Sequence, residues 1–356
     1  MAYITLNKQK LQHNYNELNN LFKENNIEWA AVVKLLCGNE LFIKQVLDLG
    51  IKEVCDSRIS NLKTVKAIRP EVQTVYIKPP AKENVREILE CADVTFNTEY
   101  ETIKLLSDTA VEMGTTHKIL IMIELGELRE GVMREEFVNF YQKVFNLPNI
   151  KVTGIGSNLT CMYGVLPSED KLLQLCLYKQ LVEAKFNQVI PYISGGASVT
   201  IPLIYNKTLP NDVNHFRVGD SLFLGSNIIH NTTFSNLNAD VFKLYAQIIE
   251  LNEKPYVPSG ELGYNMSGEK KEFEGMEPGE IGFRAIVDIG LLDIEDTHLF
   301  PVNKNLSIIG ASSDMMVIDL KNNESQLEVG DFIEFKMDYM GVLRIMNSDY
   351  IEKKID

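Results

Sequence analysis

Cysteine is scarce in this chain and odd in number: Cys37, Cys55, Cys91, Cys161 and Cys176 are scattered and form no CxxC pair. A disulfide framework needs pairs and a zinc cluster needs close spacing, so both are set aside and a reduced, cytoplasmic protein is expected. Long apolar runs are missing as well. The best one, Ile119 to Ile123, is strand-sized and far short of the roughly eighteen residues a bilayer helix needs. The opening Met-Ala-Tyr-Ile-Thr-Leu has neither a basic flank nor a long apolar core, so it does not read as a signal peptide. Positive charge is in deficit: 35 Lys and Arg stand against 49 Asp and Glu, for a net charge of −14. No basic stripe offsets that field, which repels a polyanion, so nucleic acid is not an expected partner. His13, His117, His215, His230 and His298 show no HxxxH spacing, and no metal site is expected.

What is present is ordinary globular composition. The 356 residues are 45% apolar and 24% charged, enough for one large core and a smaller one. Leu11, Tyr15, Leu18 and Phe22 recur at helical spacing, and the run from Trp29 to Val33 reads as a parallel strand buried on both faces. Asn39 is placed to cap the next helix, whose apolar stripe of Leu41, Phe42, Val46 and Leu49 stops at Gly50. The alternation continues with strands expected at 53–56, 73–77, 93–97, 118–125, 152–157, 192–194 and 216–224. Helical patterns are expected near 59–68, 82–90, 99–113, 133–146 and 169–186. Eight apolar strands, each paired with a helix, are the number that closes a (β/α)8 barrel, a fold of about 250 residues. From Val241 the pattern changes to short or alternating apolar runs at 244–249, 282–289, 306–309, 315–320, 332–337 and 342–346, separated by turn residues. The expected architecture is therefore α/β, a TIM barrel over residues 8–230 followed by a C-terminal antiparallel β domain over 231–356.

Several residues at expected strand ends can carry chemistry. Lys34 follows the first barrel strand, where desolvation lowers an amine's pKa and permits Schiff-base chemistry with a carbonyl; a snorkelling rim lysine is the plain alternative. Arg129 has the planar fork that suits a carboxylate or phosphate, or it pairs with Glu127 or Glu130. The turns Ser194-Gly-Gly-Ala-Ser198 and Arg217-Val-Gly-Asp-Ser221 belong to strands seven and eight, where barrels commonly bind phosphate on backbone N–H groups. They read equally as ordinary tight turns. Asn158, just past the sixth strand, orients a ligand or caps its loop. Cys161 has no neighbouring His or Lys to activate it. Tyr264 and Tyr350 become acid–base groups only where a cation or hydrogen bonds lower a phenol pKa that starts near 10.

Six segments occur in order: Val32-Val-Lys34, Gly126-Glu-Leu-Arg129, Gly154-Ile-Gly-Ser-Asn-Leu-Thr-Cys161, Ser194-Gly-Gly-Ala-Ser198, Phe216-Arg-Val-Gly219 and Ile309-Gly-Ala-Ser-Ser-Asp314. Together they resemble the alanine racemase superfamily of pyridoxal-phosphate enzymes, fold type III, and within it the alanine/ornithine racemase branch. Cys55-Asp-Ser-Arg-Ile-Ser-Asn-Leu62 and Gly310-Ala-Ser-Ser-Asp314 are the most branch-specific, and the likeness runs from about Tyr3 to Tyr350.

The resemblance implies a pyridoxal 5'-phosphate cofactor, a strand added to the β domain by residues 1–7, and a head-to-tail homodimer in which the partner's β domain completes each active site. It matches Lys34 to the lysine that bonds the cofactor and Arg217 to the arginine facing the pyridine nitrogen. Ser198, Gly219 and Asp220 fall at phosphate-contact positions, Asp220 through its backbone N–H. Arg129 matches an arginine that positions the substrate carboxylate and a cofactor oxygen, and Asn158 falls where alanine racemases carry a histidine near the ring.

The chain departs from the pattern in three places. Met122 stands where many alanine racemases carry a carbamylated lysine. Lys34-Leu-Leu-Cys-Gly38 lacks the tyrosine that usually follows the lysine, leaving Tyr350 as the expected phosphate ligand with Tyr339 as its rival. Tyr264 follows Gly260-Glu261 one residue short of the family spacing for the second catalytic base, so Asp314 and Ser313, on a loop at a partner-contributed position, stay open for that role. The expected activity is racemisation of an amino acid by two-base α-proton transfer, with ornithine or another basic amino acid as substrate and alanine otherwise. A non-catalytic pyridoxal-phosphate carrier or regulator is the alternative of a different class. It is disfavoured by the long segment after residue 230, which such carriers lack. A fold-type III aldolase is the other, and would want His and Asp metal ligands where only His298 is found.

Overall fold

The computed structural model describes residues 1–264, 268, 270 and 279–356. They divide into two compact units: Asn7–Val241 with Ile355, and Met1–Leu6 with Phe242–Lys354 and Asp356. Strand β1 (Tyr3–Leu6) belongs to the second unit. The first unit opens with α1 (Lys8–Glu24), capped by Asn7, whose side chain accepts from the Lys10 N–H at 2.9 Å.

Strands β2 (Glu28–Val32), β3 (Glu53–Asp56), β4 (Gln73–Tyr76), β5 (Val94–Asn97), β6 (His117–Met122), β7 (Ile150–Gly156), β8 (Tyr192–Ser194), β9 (Gly196–Ala197) and β10 (His215–Val218) form one parallel sheet. Its order is β8-β7-β6-β5-β4-β3-β2-β10-β9. The two ends of that order are consecutive pieces of chain, interrupted at Gly195. Ser194 pairs with Gly156 on one side while Gly196 pairs with Phe216 on the other, so the sheet closes on itself as eight strands. Gly196 permits the closure, because a Cβ there would lie 2.0 Å from the Phe216 ring. Ala30, Cys55, Val75, Val94, Phe96, Leu120 and Met122, from five successive strands, pack as one buried cluster within the ring.

Helices α2 (Glu40–Asp48), α3 (Ile59–Ile68), α4 (Val85–Cys91), α5 (Tyr100–Glu112), α6 (Phe137–Val144), α7 (Glu169–Phe186) and α8 (Ile201–Tyr205) intervene between strands, and Asn39 caps α2 as its position implied. The expected eighth strand is half helix: β10 stops at Val218, and Asp220–Leu224 is the short helix α9, ended by Gly225 at φ +61°. Leu222, Phe223 and Leu224 are a continuous apolar run, which burial on all sides produces in a short helix as readily as in a strand. Strands β11 (Ser226–Asn227) and β12 (Thr232–Thr233) form a short antiparallel pair.

The second unit is a sheet of β13 (Phe242–Pro255), β14 (Ile281–Val287), β15 (Leu299–Pro301), β16 (Ser307–Ala311), β17 (Met316–Lys321) and β18 (Phe332–Met337) in the order β15-β18-β13-β14-β17-β16, all antiparallel. Strand β1 pairs antiparallel with β13, Tyr3 opposite Tyr245, and also with β19 (Glu352–Ile355). Phe242, Leu244, Ala246 and Ile248 alternate inward along β13 and meet Ile4, Leu6 and Phe335 in the core of this unit. Residues 342–346, expected as a strand, lie in helix α10 (Tyr339–Asn347). The Asp338 carboxylate accepts from the Gly341 N–H at 2.8 Å as its N-cap, and Val342, Ile345 and Met346 form a buried stripe at helical spacing. Among the described residues no helix is long and apolar enough to cross a membrane.

Candidate functional site

Strand β2 ends at Val32, and Lys34 opens a single 3-10 turn, Lys34–Leu36, at the C-terminal end of the barrel. The turn is followed by Gly38 at φ +77°, where a Cβ would meet the Asn61 side-chain oxygen at 2.6 Å. Asn61 in turn donates from Nδ2 to the Asp56 carboxylate at 3.1 Å, and the Arg58 N–H donates to it at 2.8 Å. Asn61 thus holds the last residue of β3 while lying close against Gly38, just past the turn that carries Lys34. Burial lifts the Asp56 carboxyl to about 6, against its hydrogen bonds and the Lys34 charge, which hold it down. Asp220, the first residue of α9, is lifted by burial to about 6 as well, again opposed by Lys34. Lys34 therefore stands in the field of two carboxyls, both largely ionised at neutral pH.

Arg217, third residue of β10, is buried within the barrel. Its Nη1 donates to the Ser194 carbonyl at 2.6 Å and to Ser194 Oγ, its Nη2 donates to the Ser157 carbonyl at 2.7 Å, and the guanidinium lies 5.3 Å from the Phe96 ring centroid. Burial lowers its pKa, yet an arginine starts so high that it stays charged. Its Nε–H and second Nη2 hydrogen are taken up by no acceptor among the described residues. Ser198, just after β9, accepts from the Ser221 N–H at 3.1 Å, which ties the turns after β9 and β10 together and leaves its hydroxyl hydrogen to donate. At Gly219, between β10 and α9, a Cβ would lie 3.1 Å from the Val32 carbonyl oxygen, so the backbone there packs directly against the end of β2.

Arg129 pairs with Glu130 through Nε and Nη2, and Nη1 reaches Cys161 Sγ. With its amide oxygen turned to accept, Asn158 lies 2.9 Å from Arg129 Nη2. Of the two carboxylates open as ion partners of Arg129, Glu130 takes that place because Glu127 is occupied elsewhere. Glu127 accepts backbone N–H groups from Thr160 (3.1 Å), Cys161 (2.9 Å), Met162 (2.5 Å), Tyr163 (2.8 Å) and Val165 (3.0 Å). Desolvation raises its pKa, but four of those hydrogen bonds outweigh the effect and hold it at about 2. One carboxylate thus shapes the loop after β7 that carries the contacts of Arg129.

Tyr264, Asp314 and Tyr350 lie in the second unit and are all exposed, Tyr264 and Tyr350 at 78% and 83%. Tyr264 follows β13, Asp314 accepts from Ser312 Oγ and Ser313 Oγ in the turn between β16 and β17, and Tyr350 sits between α10 and β19. The structure thus gathers Lys34, Ser198, Arg217, Gly219 and Asp220 at the ends of β2, β9 and β10, and joins Arg129 to Asn158. Sequence reasoning gave no role to Asp56, although it lies in a quoted segment, and missed Glu127 as the organiser of its loop.

Comparison with known proteins places the chain. The family profile for the alanine racemase N-terminal domain matches residues 6–227. Over 353 residues the chain is 36% identical to the ornithine racemase of Acetoanaerobium sticklandii, covering 99% of each protein. It is 29% identical to the lysine racemase of Thermotoga maritima over 350 residues, 98% of this chain and 97% of that one. The structure of alanine racemase from Bartonella henselae, with covalently bound pyridoxal phosphate, has the same fold at a TM-score of 0.75 and 17% identity, covering 100% of this chain and 99% of its own. This chain belongs to the alanine racemase family. It is an amino-acid racemase that depends on pyridoxal phosphate.

The residues at the barrel's C-terminal end fit that cofactor. An amine, a buried guanidinium with N–H groups to spare and a serine hydroxyl with a free donor are the groups an aldehyde, a pyridine nitrogen and a phosphate call for. Ser157 Oγ, Asn97 Oδ1 and Asn227 Oδ1, buried at or just beyond strand ends, have no hydrogen-bond partner among the described residues, as expected where a polar ligand or water belongs.

Proposed function

We propose that this chain interconverts the L and D forms of a basic amino acid, ornithine first, by moving the α-proton between two groups on opposite faces of the substrate. The observation that carries the reading is Lys34 at the end of β2, in the field of Asp56 and Asp220, in a chain of this family. Bound pyridoxal phosphate supplies acidity at the α-carbon by drawing the electron pair left there into its ring. Lys34 would hold the cofactor's aldehyde carbon, and its Nζ would take or return the proton on one face of the substrate. Arg217 faces the ring nitrogen as a hydrogen-bond donor that has no proton to give up near neutral pH, which leaves that nitrogen unprotonated and limits side reactions that need a stronger electron sink. Ser198 and the backbone N–H groups of Gly219 and Asp220 would hold the phosphate, and the family resemblance adds Tyr350, with Tyr339 as its rival. Arg129, oriented by Glu130 and Asn158, takes the substrate carboxylate as a charge-assisted pair.

The opposite face is assigned to Tyr264, with Asp314 beside the substrate, both from the partner of a head-to-tail homodimer. Their exposure on the second unit supports that assignment. The preference for a basic substrate rests on the ornithine and lysine racemases the chain resembles. We place the protein in the reducing cytoplasm, consistent with five cysteines that form no disulfide among the described residues. We assign the barrel residues 8–230 and the β domain residues 231–356 with the opening strand, while the compact units themselves divide after Val241.

The test is proton NMR in D2O with added pyridoxal phosphate and a panel of L-amino acids. Loss of the α-proton signal of ornithine or lysine, followed by the D-enantiomer, is the expected result. Cofactor binding with no α-proton exchange from any amino acid would overturn the reading in favour of a carrier.

A further inference from the structure

Behind Arg217 runs a chain of side chains that the reaction does not touch. Ser194 Oγ, which accepts from Arg217 Nη1, lies 2.7 Å from His215 Nδ1, and His215 Nε2 lies 2.9 Å from Glu53 Oε1. Gln73 Nε2 donates to the other Glu53 oxygen at 2.5 Å. Ser194 and His215 are buried, and Glu53 begins β3 at the opposite end of the strand from Asp56. On the far side, Glu53, Gln73 and His215 line a cavity of about 190 Å³, so packing does not hold the pair there and its hydrogen bonds do. Among the described residues no carboxylate forms a direct ion pair with Arg217.

The direction of each hydrogen bond follows from one charge. Glu53 is held ionised by His215 and Gln73 against a desolvation that favours its neutral form, and an ionised carboxylate only accepts. His215 therefore donates from Nε2, and in the tautomer where that is the ring's one proton Nδ1 is the acceptor. The Ser194 hydroxyl donates into Nδ1, and its oxygen is left to accept from Arg217. We propose that Glu53, acting through His215 and Ser194, is the positioning residue that fixes the plane and the donor direction of Arg217. The proposal rests on the assignment of Arg217 to the cofactor ring nitrogen. Ser194 and Ser157 otherwise hold Nη1 and Nη2 by one hydroxyl and two carbonyls. If the Ser194 hydroxyl turned to donate elsewhere, Nη1 would keep the Ser194 carbonyl and lose the hydroxyl as its second, direction-setting partner.

The test begins on the cofactor-free protein, with long-range 15N–1H NMR of the His215 ring at neutral pH. The expected spectrum has Nε2 protonated and Nδ1 bare, and in Glu53→Gln, whose amide can donate or accept, a mixture of tautomers. A parent protein with Nδ1 protonated, whether Nε2 is bare or protonated too, would overturn the relay, whether or not the cofactor binds. With cofactor present, Glu53→Gln should shift its absorption band and lower kcat on the order of tenfold with KM little changed. Val75→Ala, a cavity-lining control chosen for comparable loss of thermal stability, should leave the band in place. Identical bands and rates in parent and Glu53→Gln would reduce the network to a structural one. Failure of the parent to bind pyridoxal phosphate at all would sink the functional reading while the tautomer measurement still decides the relay.

Discussion

The two units handle their chemistry-bearing side chains in opposite ways. In the barrel, Arg217, Glu127 and Asp56 are buried and each is held by two or more hydrogen bonds. In the β unit, Tyr264, Asp314 and Tyr350 are exposed and lie outside the strands, and among the described residues the hydrogen bonds on these side chains are those Asp314 receives from Ser312 and Ser313. Buried charges must be satisfied where they lie, since leaving one unpaired costs several kcal/mol. An exposed phenol carries no such constraint, so its position is decided by whatever it meets outside its own unit. The contrast teaches that the barrel's polar groups are fixed within their own unit, whereas those of the β unit are not.

The most severe break is Lys34→Ala. It should abolish racemisation, with a loss on the order of a thousandfold or more, while the circular dichroism spectrum of the barrel persists. Retained turnover would exclude Lys34 as the cofactor-bonding lysine. Tyr264→Phe comes next, on the other side of the comparison. Thermal stability should change by less than about 0.5 kcal/mol because the ring is exposed. Solvent exchange of the α-proton should survive from one enantiomer and fall on the order of a hundredfold from the other. Equal loss from both enantiomers would move the second base to Asp314 or Ser313.

Smaller in effect is Glu127→Gln, which should cost about 2–3 kcal/mol by weakening the grip on the loop after β7. The Glu127 pKa is depressed to about 2, so its stabilisation is present above the unfolded carboxylate range near 4.5 and is lost as pH falls from there to about 2. The variant should lack that acid-limb loss in a denaturation series. Asp220→Asn is the mildest. A carboxyl raised to about 6 stabilises the fold below its unfolded pKa near 3.8, and that contribution disappears as pH rises through 6. The cofactor-free variant should therefore gain on the order of 1–2 kcal/mol at pH 7 and nothing at pH 3.

Much of this could be read in the chain. The barrel strands from β2 to β8 were visible because parallel strands buried on both faces become continuous apolar runs, and Asn39 and Gly50 bracketed a helix by their own local chemistry. The helices at 220–224 and 339–347 escaped because a five-residue apolar run does not distinguish a buried helical turn from a strand. For α10 the signal was there in Asp338, an N-cap two residues ahead of Met340. Lys34 and Arg217 were legible through the ordered segments around them. Glu127 was not, since its five donors lie 33–38 residues away and are backbone groups that no side-chain pattern reveals.

By itself the sequence determined the elements and the residue types at strand ends, because local propensity, burial periodicity and capping act over a few residues. Which of those residues meet was decided only by the tertiary structure. Arg217 finds Ser157 sixty positions away, and His215 finds Glu53 across 162, because closing eight strands into a ring brings their ends together irrespective of distance along the chain. The fold then sets how each carboxyl titrates: burial raises Asp56 to about 6, while the backbone donors of the loop after β7 outweigh desolvation at Glu127 and hold it at about 2.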